Sequence, residues 1–391
     1  MLVWIGALMV GTILGLLQIG EIDDTANFVA TIYVRLFQLL AVPTIVLAVT
    51  TTLATLGNGK DAGRIFRHTI SYTLLTTVVA ATVSLLLYIV IAPSNLDLET
   101  MNAQKPAIDT QFTYTDHLLS IIPNNIVKPF LEGNVLSLLL LATAVGFALS
   151  RITDSPQKKS VINFLLGVQE VLFTLIRGLI WTLPVGIIAF AAQLFAQLSA
   201  GAIADSLGKY VAVVLGGNLL QFFVVLPLFL LLRGLNPIRV LSKMMPAVLM
   251  ALFTKSSAAT LPVTMETAEQ RLGVQSKVAR FVLPICTTVN MNGCAAFILV
   301  TSLFVMQQGG VELTWNVMFA WLFISVLSAI GNAGVPMGCY FLTLSLMSGI
   351  NAPIAVLGVI LPIYTIIDMV ETAVNVWSDS CVCAMTDRDL K

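Results

Sequence analysis

The segment DMVETAVNVWSD spans residues 368–379, close to the C-terminus. It places Asp368, Glu371, Thr372, Asn375 and Asp379 at positions i, i+3, i+4, i+7 and i+11, which share one face of an α-helix. The residues between them are nearly all apolar, so this polar face is expected to point inward within a membrane. A carboxylate at bilayer depth costs about 2.5 to 3.5 kcal/mol, so three of them require cations or polar partners nearby. The polar face is therefore predicted to be a transport site.

Composition also places the chain in a membrane. Of its 391 residues, 58% are hydrophobic and 10% are charged, and repeated apolar runs are long enough to span a bilayer. Zero formal net charge argues against nucleic acid as a partner. The N-terminal segment lacks a basic leader and a convincing cleavage site, so we expect a retained first span. The five cysteines show neither a disulfide framework nor a zinc-site pattern and are expected to be packing thiols.

Basic residues set the expected orientation of the first half. Apolar runs cover about 2–19, 33–56, 69–92, 118–149, 161–198 and 211–232. Every second connection between them carries a cluster of Lys and Arg, whereas the others are acidic or carry a single basic residue. By the positive-inside rule, the N-terminus and the segment near residue 235 are cytoplasmic.

Two apolar segments of the second half are interrupted by small polar residues. The break TKSSAAT (254–260) separates arms too short to span and is followed by a basic turn. This predicts a re-entrant hairpin that enters from the cytoplasm, with Ser256 and Ser257 at its tip. The break GNAGVPMG (331–338) has flanks without basic residues, so this hairpin should enter from outside. Two hairpins from opposite faces are typical of an inverted-repeat secondary transporter.

At this point the chain resembles the dicarboxylate/amino acid:cation symporter family, which includes glutamate transporters, neutral amino acid exchangers and bacterial serine/threonine symporters. The motifs are TKSSAATLPVTM (254–265), VNMNGC (289–294), IGNAGVP (330–336) and DMVETAVNVWSD (368–379). They are closest to those of the bacterial sodium/serine-threonine symporters. The resemblance covers essentially the whole chain and implies a transporter rather than an enzyme.

The resemblance implies an all-α polytopic membrane protein that works as an elevator. Eight transmembrane helices and two re-entrant hairpins are expected, in a homotrimer of the cell inner membrane with both termini cytoplasmic. The scaffold would comprise helices 1–2 (1–59) and helices 4–5 (112–200). The mobile transport domain would comprise helix 3 (60–95), helix 6 (204–235), hairpin 1 (240–270), helix 7 (278–306), hairpin 2 (315–351) and helix 8 (354–386).

The substrate class is predicted from one departure from the family pattern. Acidic-substrate members carry an Arg where this chain has Glu371, which would repel an acidic side chain but could accept a hydrogen bond from a hydroxyl. A small neutral amino acid, similar to serine or threonine, is therefore favoured. The resemblance assigns the substrate ammonium to Asp368. The other residues expected to bind substrate are Ser256, Ser257, Cys294, Gly334, Val335, Glu371, Thr372 and Asn375.

Other readings stay open at this point. Glu371 could pair with the cationic side chain of a basic amino acid, which would then be the substrate, or it could couple transport to protons instead of sodium. Lys255 could neutralise Asp368 or Glu371 and restore a site for an acidic amino acid or dicarboxylate. An anion channel is the rival from a different class, because members of the family can leak anions.

The resemblance implies sodium as the coupling ion. One family site matches Asn290, Asn375 and Asp379, whose oxygens suit a hard cation. A second site would use Thr76 and Thr77, but Asn292 replaces the family's Asp, so one negative charge is missing and fewer ions are expected. A third would draw on Thr288 and the backbone of hairpin 2. The expected gate residues are Gly331, Gly334 and Pro336.

Overall fold

The computed structural model describes residues 2–17, 19–55, 62–96, 122–132, 135–198, 203–332 and 337–390. These residues form α-helices connected by short turns, with no β-strand among them, which confirms the predicted all-α class. Three predicted site residues, Gly334, Val335 and Pro336, lie outside the described residues, as do residues 112–121 of the predicted helix 4–5 region.

The helices of the first half are α1 (Leu2–Leu16), α2 (Gly20–Thr55), α3 (Ala62–Ile91), α4 (Lys128–Glu132), α5 (Val135–Arg151), α6 (Pro156–Leu198), α7 (Ile203–Leu220) and α8 (Leu226–Leu232). A π-helical turn, Gln221–Val225, joins α7 to α8. Helix α2 begins well before the apolar run at residue 33. Glu21 and Asp23 lie in its first turn, where acidic side chains interact favourably with the helix dipole.

The helices of the second half are α9 (Pro237–Thr254), α10 (Ser257–Thr267), α11 (Ser276–Val289), α12 (Asn292–Gln308), α13 (Trp315–Ala329), α14 (Gly338–Gly349) and α15 (Ala355–Leu390). By length and composition, five helical segments in the described ranges can cross a membrane. They are Arg64–Ile91, Asp205–Leu232, Pro237–Thr254, Ser276–Gln308 and Ala355–Leu390. Pro237–Thr254 is among them, although the sequence predicts it to be a hairpin arm, and the count of eight spans stays a prediction.

Helix packing gathers the second-half helices around α15. In the first half, α1 and α2 pack along the long helix α6, and α5 packs against α2. Helix α15 packs against α9, α11 and α12, and α3 packs against α12 and α7. Every residue of α12 from Asn292 to Met306 is buried. The two helices that carry the VNMNGC and DMVETAVNVWSD motifs therefore lie side by side in the interior.

Three helix breaks interrupt this half of the molecule. The first lies between α9 and α10, where Lys255 has a left-handed backbone (φ 54°) and Ser256 caps α10 by accepting a hydrogen bond from Ala259 N at 3.1 Å. The second lies between α11 and α12. The third begins with a 3-10 turn, Ile330–Asn332, and ends at Met337, whose backbone is also left-handed (φ 60°). Each break leaves backbone groups without intrahelical partners, so they can bind other groups.

Candidate functional site

The polar face of residues 368–379 is buried inside the protein, as its helical spacing predicts. The relative exposures are 3% for Asp368, 0% for Glu371, 5% for Thr372, 3% for Asn375 and 1% for Asp379. Buried charges persist only where partners compensate the loss of hydration. The neighbouring groups therefore indicate what this face can bind.

Asp368 lies between α15 and the end of the third helix break. Its Oδ2 accepts a hydrogen bond from the backbone N–H of Met337 at 3.2 Å, and its Oδ1 lies 3.5 Å from the hydroxyl of Tyr364. The ammonium of Lys255, at the first break, interacts electrostatically with this carboxylate. The third break thus contacts this carboxylate directly, and the first break brings a basic side chain within electrostatic range of it. A carboxylate is a suitable partner for an ammonium group.

Glu371 is completely buried one helical turn further along α15. Its Oε2 accepts a hydrogen bond from Tyr364 at 3.2 Å, whereas its Oε1 has no hydrogen-bond partner among the described residues. A buried acceptor without a partner costs about 1 to 3 kcal/mol, so Oε1 is available to accept a hydrogen bond from a bound substrate.

The predicted tip of hairpin 1 is formed by Ser256 and Ser257, and both are buried. The Ser256 hydroxyl caps α10, which is the ordinary structural role of a serine at a helix start. Beside it, the hydroxyls of Thr254 and Thr260 lie 3.0 Å apart across the break. The first break thus offers hydroxyl and backbone groups next to Lys255.

The first predicted sodium cluster is assembled in part. The side-chain amide of Asn290 donates to Asp379 Oδ1 at 2.9 Å. One helical turn away, Asn375 Oδ1 accepts a hydrogen bond from Gly293 N at 2.9 Å. Carboxylate, amide and backbone oxygens of this kind are the ligands that a hard cation prefers. The oxygen atoms of this cluster are therefore suitable ligands for sodium.

The second predicted cluster is brought together around Asn292. Its Oδ1 accepts hydrogen bonds from Thr77 at 2.7 Å and from Thr76 at 3.5 Å. Thr76 also lies 3.2 Å from Asn290 Oδ1, so the two clusters are continuous. Ser378 accepts hydrogen bonds from the amides of both asparagines, at 2.9 Å and 2.7 Å.

Thr288, the remaining predicted sodium ligand, belongs to neither of these two clusters. Its hydroxyl donates to Ile285 O at 3.0 Å within its own helix, and the side chain is half-buried. Gly331, a predicted gate residue, lies in the 3-10 turn that begins the third break.

Two of the five cysteines correct the expectation that all are packing thiols. Cys294, at the start of α12, forms a disulfide with Cys339, at the start of α14, with their Cα atoms 5.4 Å apart. Asn332 lies beside the pair, with its amide nitrogen 3.0 Å and 3.4 Å from the two sulfurs. The carboxylate of Glu371 lies within 4.8 Å of both sulfurs. Cys286, Cys381 and Cys383 are free and buried, as expected.

Sequence reasoning missed several residues that contact the site. Tyr364 lies four and seven residues before Asp368 and Glu371, and Ser378 lies seven residues after Glu371, so helical spacing could have found both. Met337 contacts the site through its backbone N–H, and no side-chain spacing in the sequence predicts such a contact.

Gly293 allows the close approach of α12 to α15. A Cβ atom at this position would lie 2.9 Å from Glu371 Cα and 3.0 Å from Glu371 O. Backbone atoms cannot move aside as side chains can, so a glycine is needed here.

A helical membrane chain with a buried polar site at several helix breaks has the architecture of a secondary transporter. The chain belongs to the Sodium:dicarboxylate symporter family, whose model matches residues 1–389. It is 28% identical to neutral amino acid transporter B(0) of Oryctolagus cuniculus, over 90% of this chain and 71% of the relative. It is also 28% identical to human neutral amino acid transporter A, over 90% and 74%. Human excitatory amino acid transporter 2 is 25% identical, over 90% and 71%.

Proposed function

We propose that the protein imports a small neutral amino acid, similar to serine or threonine, together with sodium. The observation that carries the proposal is Glu371, a fully buried carboxylate with one oxygen that has no hydrogen-bond partner among the residues that the structure describes. An acidic substrate side chain at this position would face an uncompensated negative charge. A hydroxyl would supply the missing donor. Relatives named as neutral amino acid transporters A and B(0) support this choice.

The remaining substrate contacts follow from the chemistry of an amino acid. The substrate ammonium would bind Asp368, replacing or joining the electrostatic interaction with Lys255. The substrate carboxylate would accept hydrogen bonds from Asn375 and from the hydroxyls and backbone N–H groups at Ser256 and Ser257, where the start of α10 favours an anion. The remaining sides of the substrate site would be lined by Thr372, Cys294, Gly334 and Val335.

Sodium would bind in the two adjacent oxygen clusters. The first, with Asn290, Asn375 and Asp379, includes a carboxylate and is the stronger candidate. The second, at Asn292, Thr76 and Thr77, contains only neutral oxygens, so it would bind sodium more weakly. Thr288 with hairpin 2 would form a third site. We therefore expect fewer coupled ions than in acidic-substrate members.

Movement would follow the elevator scheme of the family. The transport domain would contain α3, α7, α8, both hairpins and α11, α12 and α15, and it would move against a scaffold built on α1, α2, α5 and α6. Hairpin 2, with Gly331, Gly334 and Pro336, would form the outer gate. The protein would assemble as a homotrimer in the cell inner membrane, with both termini in the cytoplasm.

One observation favours a second candidate, transport of an acidic amino acid. Lys255 interacts with Asp368, so the site does contain a cation that a substrate carboxylate could use. Relatives named as excitatory amino acid transporters also match the chain. This candidate is weaker, because it leaves Glu371 beside the acidic substrate.

The test is uptake of radiolabelled serine, threonine, aspartate and lysine into proteoliposomes under a sodium gradient, a proton gradient or neither. Serine or threonine should accumulate only with the sodium gradient. Accumulation of aspartate would contradict the substrate assignment, and accumulation driven by protons alone would contradict the ion assignment. Downhill flux without accumulation would favour a channel.

A further inference from the structure

The cysteine pair joins α12 to α14, the second arm of hairpin 2, which is proposed above to form the outer gate. Cys294 lies on α12, next to Gly293, whose backbone contacts Asn375 of the candidate site. Cys339 lies on α14, the second arm of hairpin 2, two residues after Met337. The pair thus connects the gate arm to the helix behind the substrate site.

Both arms of hairpin 2 meet at this pair. Asn332, at the end of the first arm, has its amide nitrogen 3.0 Å from Cys294 Sγ and 3.4 Å from Cys339 Sγ. Met337, at the start of the second arm, donates its backbone N–H to Asp368. The sulfurs, both arms and the Asp368 carboxylate are therefore linked by one continuous set of contacts.

We propose that Cys294 and Cys339 form an oxidation-sensitive lock on the outer gate. With the bond formed, the two Cα atoms are restricted to the separation that a disulfide permits, about 4.4 to 6.8 Å, so α14 cannot swing away from α12. With the bond reduced, the hydrogen bonds of Met337 and Asn332 hold the gate, and these can break and re-form during transport. The inference rests on the proposed role of hairpin 2 as the outer gate but is independent of the identity of the amino acid.

The chemistry requires a two-electron oxidant that reaches one thiol while the gate is open. With a peroxide, the first thiolate attacks one oxygen to give a sulfenic acid and releases water. When the gate closes, the second thiol attacks that sulfur, the S–S bond forms and a second water leaves. A small thiol reverses the reaction by thiol–disulfide exchange, which leaves two free thiols and the oxidised small thiol. Closure of the gate is thus the step that completes the lock.

The test compares oxidised and reduced full-length protein in lipid. Wild type is treated with diamide, a diazene that accepts two electrons and two protons from a thiol pair, and is then reduced with a phosphine. Peptide mass spectrometry should detect the 294–339 cross-link only in the oxidised sample. Amide hydrogen exchange in residues 337–349 should slow by about tenfold on oxidation, because gate opening is the local opening that exposes these amides. Reduction should reverse the change.

Three variants make the result specific. Cys339→Ser should form no cross-link and show no change with diamide. Cys294→Ser, judged against its own untreated sample, should be equally insensitive, which keeps the test open if Cys339→Ser does not fold. Cys381→Ser removes a buried free cysteine of α15 and should respond as wild type does.

Sodium-driven serine uptake is measured on the same samples and should fall by about tenfold in oxidised wild type, because on this proposal the gate must open in every cycle. The lock is contradicted if the cross-link does not form, if exchange is unchanged when it does form, or if diamide slows exchange equally in Cys339→Ser. Absence of serine uptake in reduced wild type would instead contradict the proposed substrate, while the exchange data would still decide on the lock.

Discussion

The backbone N–H of Met337 donates a hydrogen bond to Asp368 Oδ2 at 3.2 Å, which ties the start of one hairpin arm to the buried face of α15. A substrate ammonium at Asp368 would therefore bind to a carboxylate that also holds the gate arm. The substrate ammonium and the Met337 N–H would then stabilise the same carboxylate, which gives a physical link between substrate binding and gate closure.

Replacing Asp368 tests this shared carboxylate. Asp368→Asn keeps the size and one acceptor but removes the charge that interacts electrostatically with Lys255. Removing one partner of a buried charge pair costs about 2 to 5 kcal/mol, so serine affinity should fall by at least about 30-fold. Calorimetric titration of serine in saturating sodium measures this change. Ser380→Ala, on the same buried helix, is the control and should bind serine normally; equal loss in both variants would contradict the specific role of Asp368.

Restoring the missing charge at residue 292 should strengthen sodium binding. In Asn292→Asp, a carboxylate would face the hydroxyls of Thr76 and Thr77, and the Ser378 hydroxyl would have to donate where it now accepts. At an effective dielectric constant of about 20, one added charge about 4 Å from a cation is worth about 4 kcal/mol before the cost of burying the new charge, so the sodium requirement should fall by at least about tenfold. Serine uptake as a function of sodium concentration measures it.

The matched change at the same position is Asn292→Ala, which removes an oxygen ligand and should raise the sodium concentration needed for serine uptake or abolish the uptake. An unchanged sodium requirement in both variants would mean that Asn292 lies outside the ion path. A steeper dependence of serine uptake on sodium concentration in Asn292→Asp would indicate an additional coupled ion.

The close approach at Gly293 predicts a loss of stability. In Gly293→Ala the new methyl group would meet the Glu371 backbone at about 3 Å, and overpacking of this kind costs about 1 to 3 kcal/mol. The melting temperature should fall, and serine affinity should fall with it because Glu371 is displaced. Gly208→Ala, in α7, has open space around the new methyl group and should be neutral or slightly stabilising. Equal melting temperatures for the two variants would contradict the tight contact.

The polar turn after α10 predicts a pH-dependent contribution to stability. Hydrogen bonds from Arg280 at 2.8 Å and from Ser276 at 3.0 Å lower the pKa of Glu269 below its ordinary value. A depressed carboxyl pKa stabilises the fold above the unfolded-state pKa, and this contribution is lost as the pH falls through the folded-state value. Glu269→Gln should therefore melt lower than wild type near neutral pH, and the difference should vanish in strong acid.

Arg280→Gln removes the donor instead of the acceptor and should reproduce that pH dependence in the same melting experiment. A difference between Glu269→Gln and wild type that persists unchanged into strong acid would indicate a packing effect rather than the ion pair.

The sequence predicts the features that depend on local spacing. The inward polar face at Asp368 follows from the helical period, and the breaks at Lys255 and near Gly331 follow from small polar residues inside apolar runs. The cluster of Thr76, Thr77 and Asn292 depended instead on the family resemblance, because no local pattern brings residues so far apart in the chain together.

Contacts made across the hairpins could not be predicted in this way. The Cys294–Cys339 bond spans 45 residues and depends on how α14 folds back onto α12. The Met337 contact uses a backbone N–H exposed by a left-handed residue, which carries no side-chain signal. The link between Lys255 and Asp368, rather than Glu371, likewise requires the position of hairpin 1 relative to α15.

Competition between amino acids for uptake tests most directly whether Glu371 selects a neutral substrate. Sodium-driven uptake of labelled serine by wild type should be inhibited by unlabelled threonine and not by aspartate, whereas Glu371→Arg should lose serine uptake and gain sodium-driven aspartate uptake. Glu371→Gln serves as the matched control for size and should transport serine but not aspartate, because it lacks the cation. Aspartate inhibition of wild type at the concentrations at which threonine inhibits, or a Glu371→Arg variant that still prefers serine, would contradict the claim that this carboxylate selects a neutral substrate.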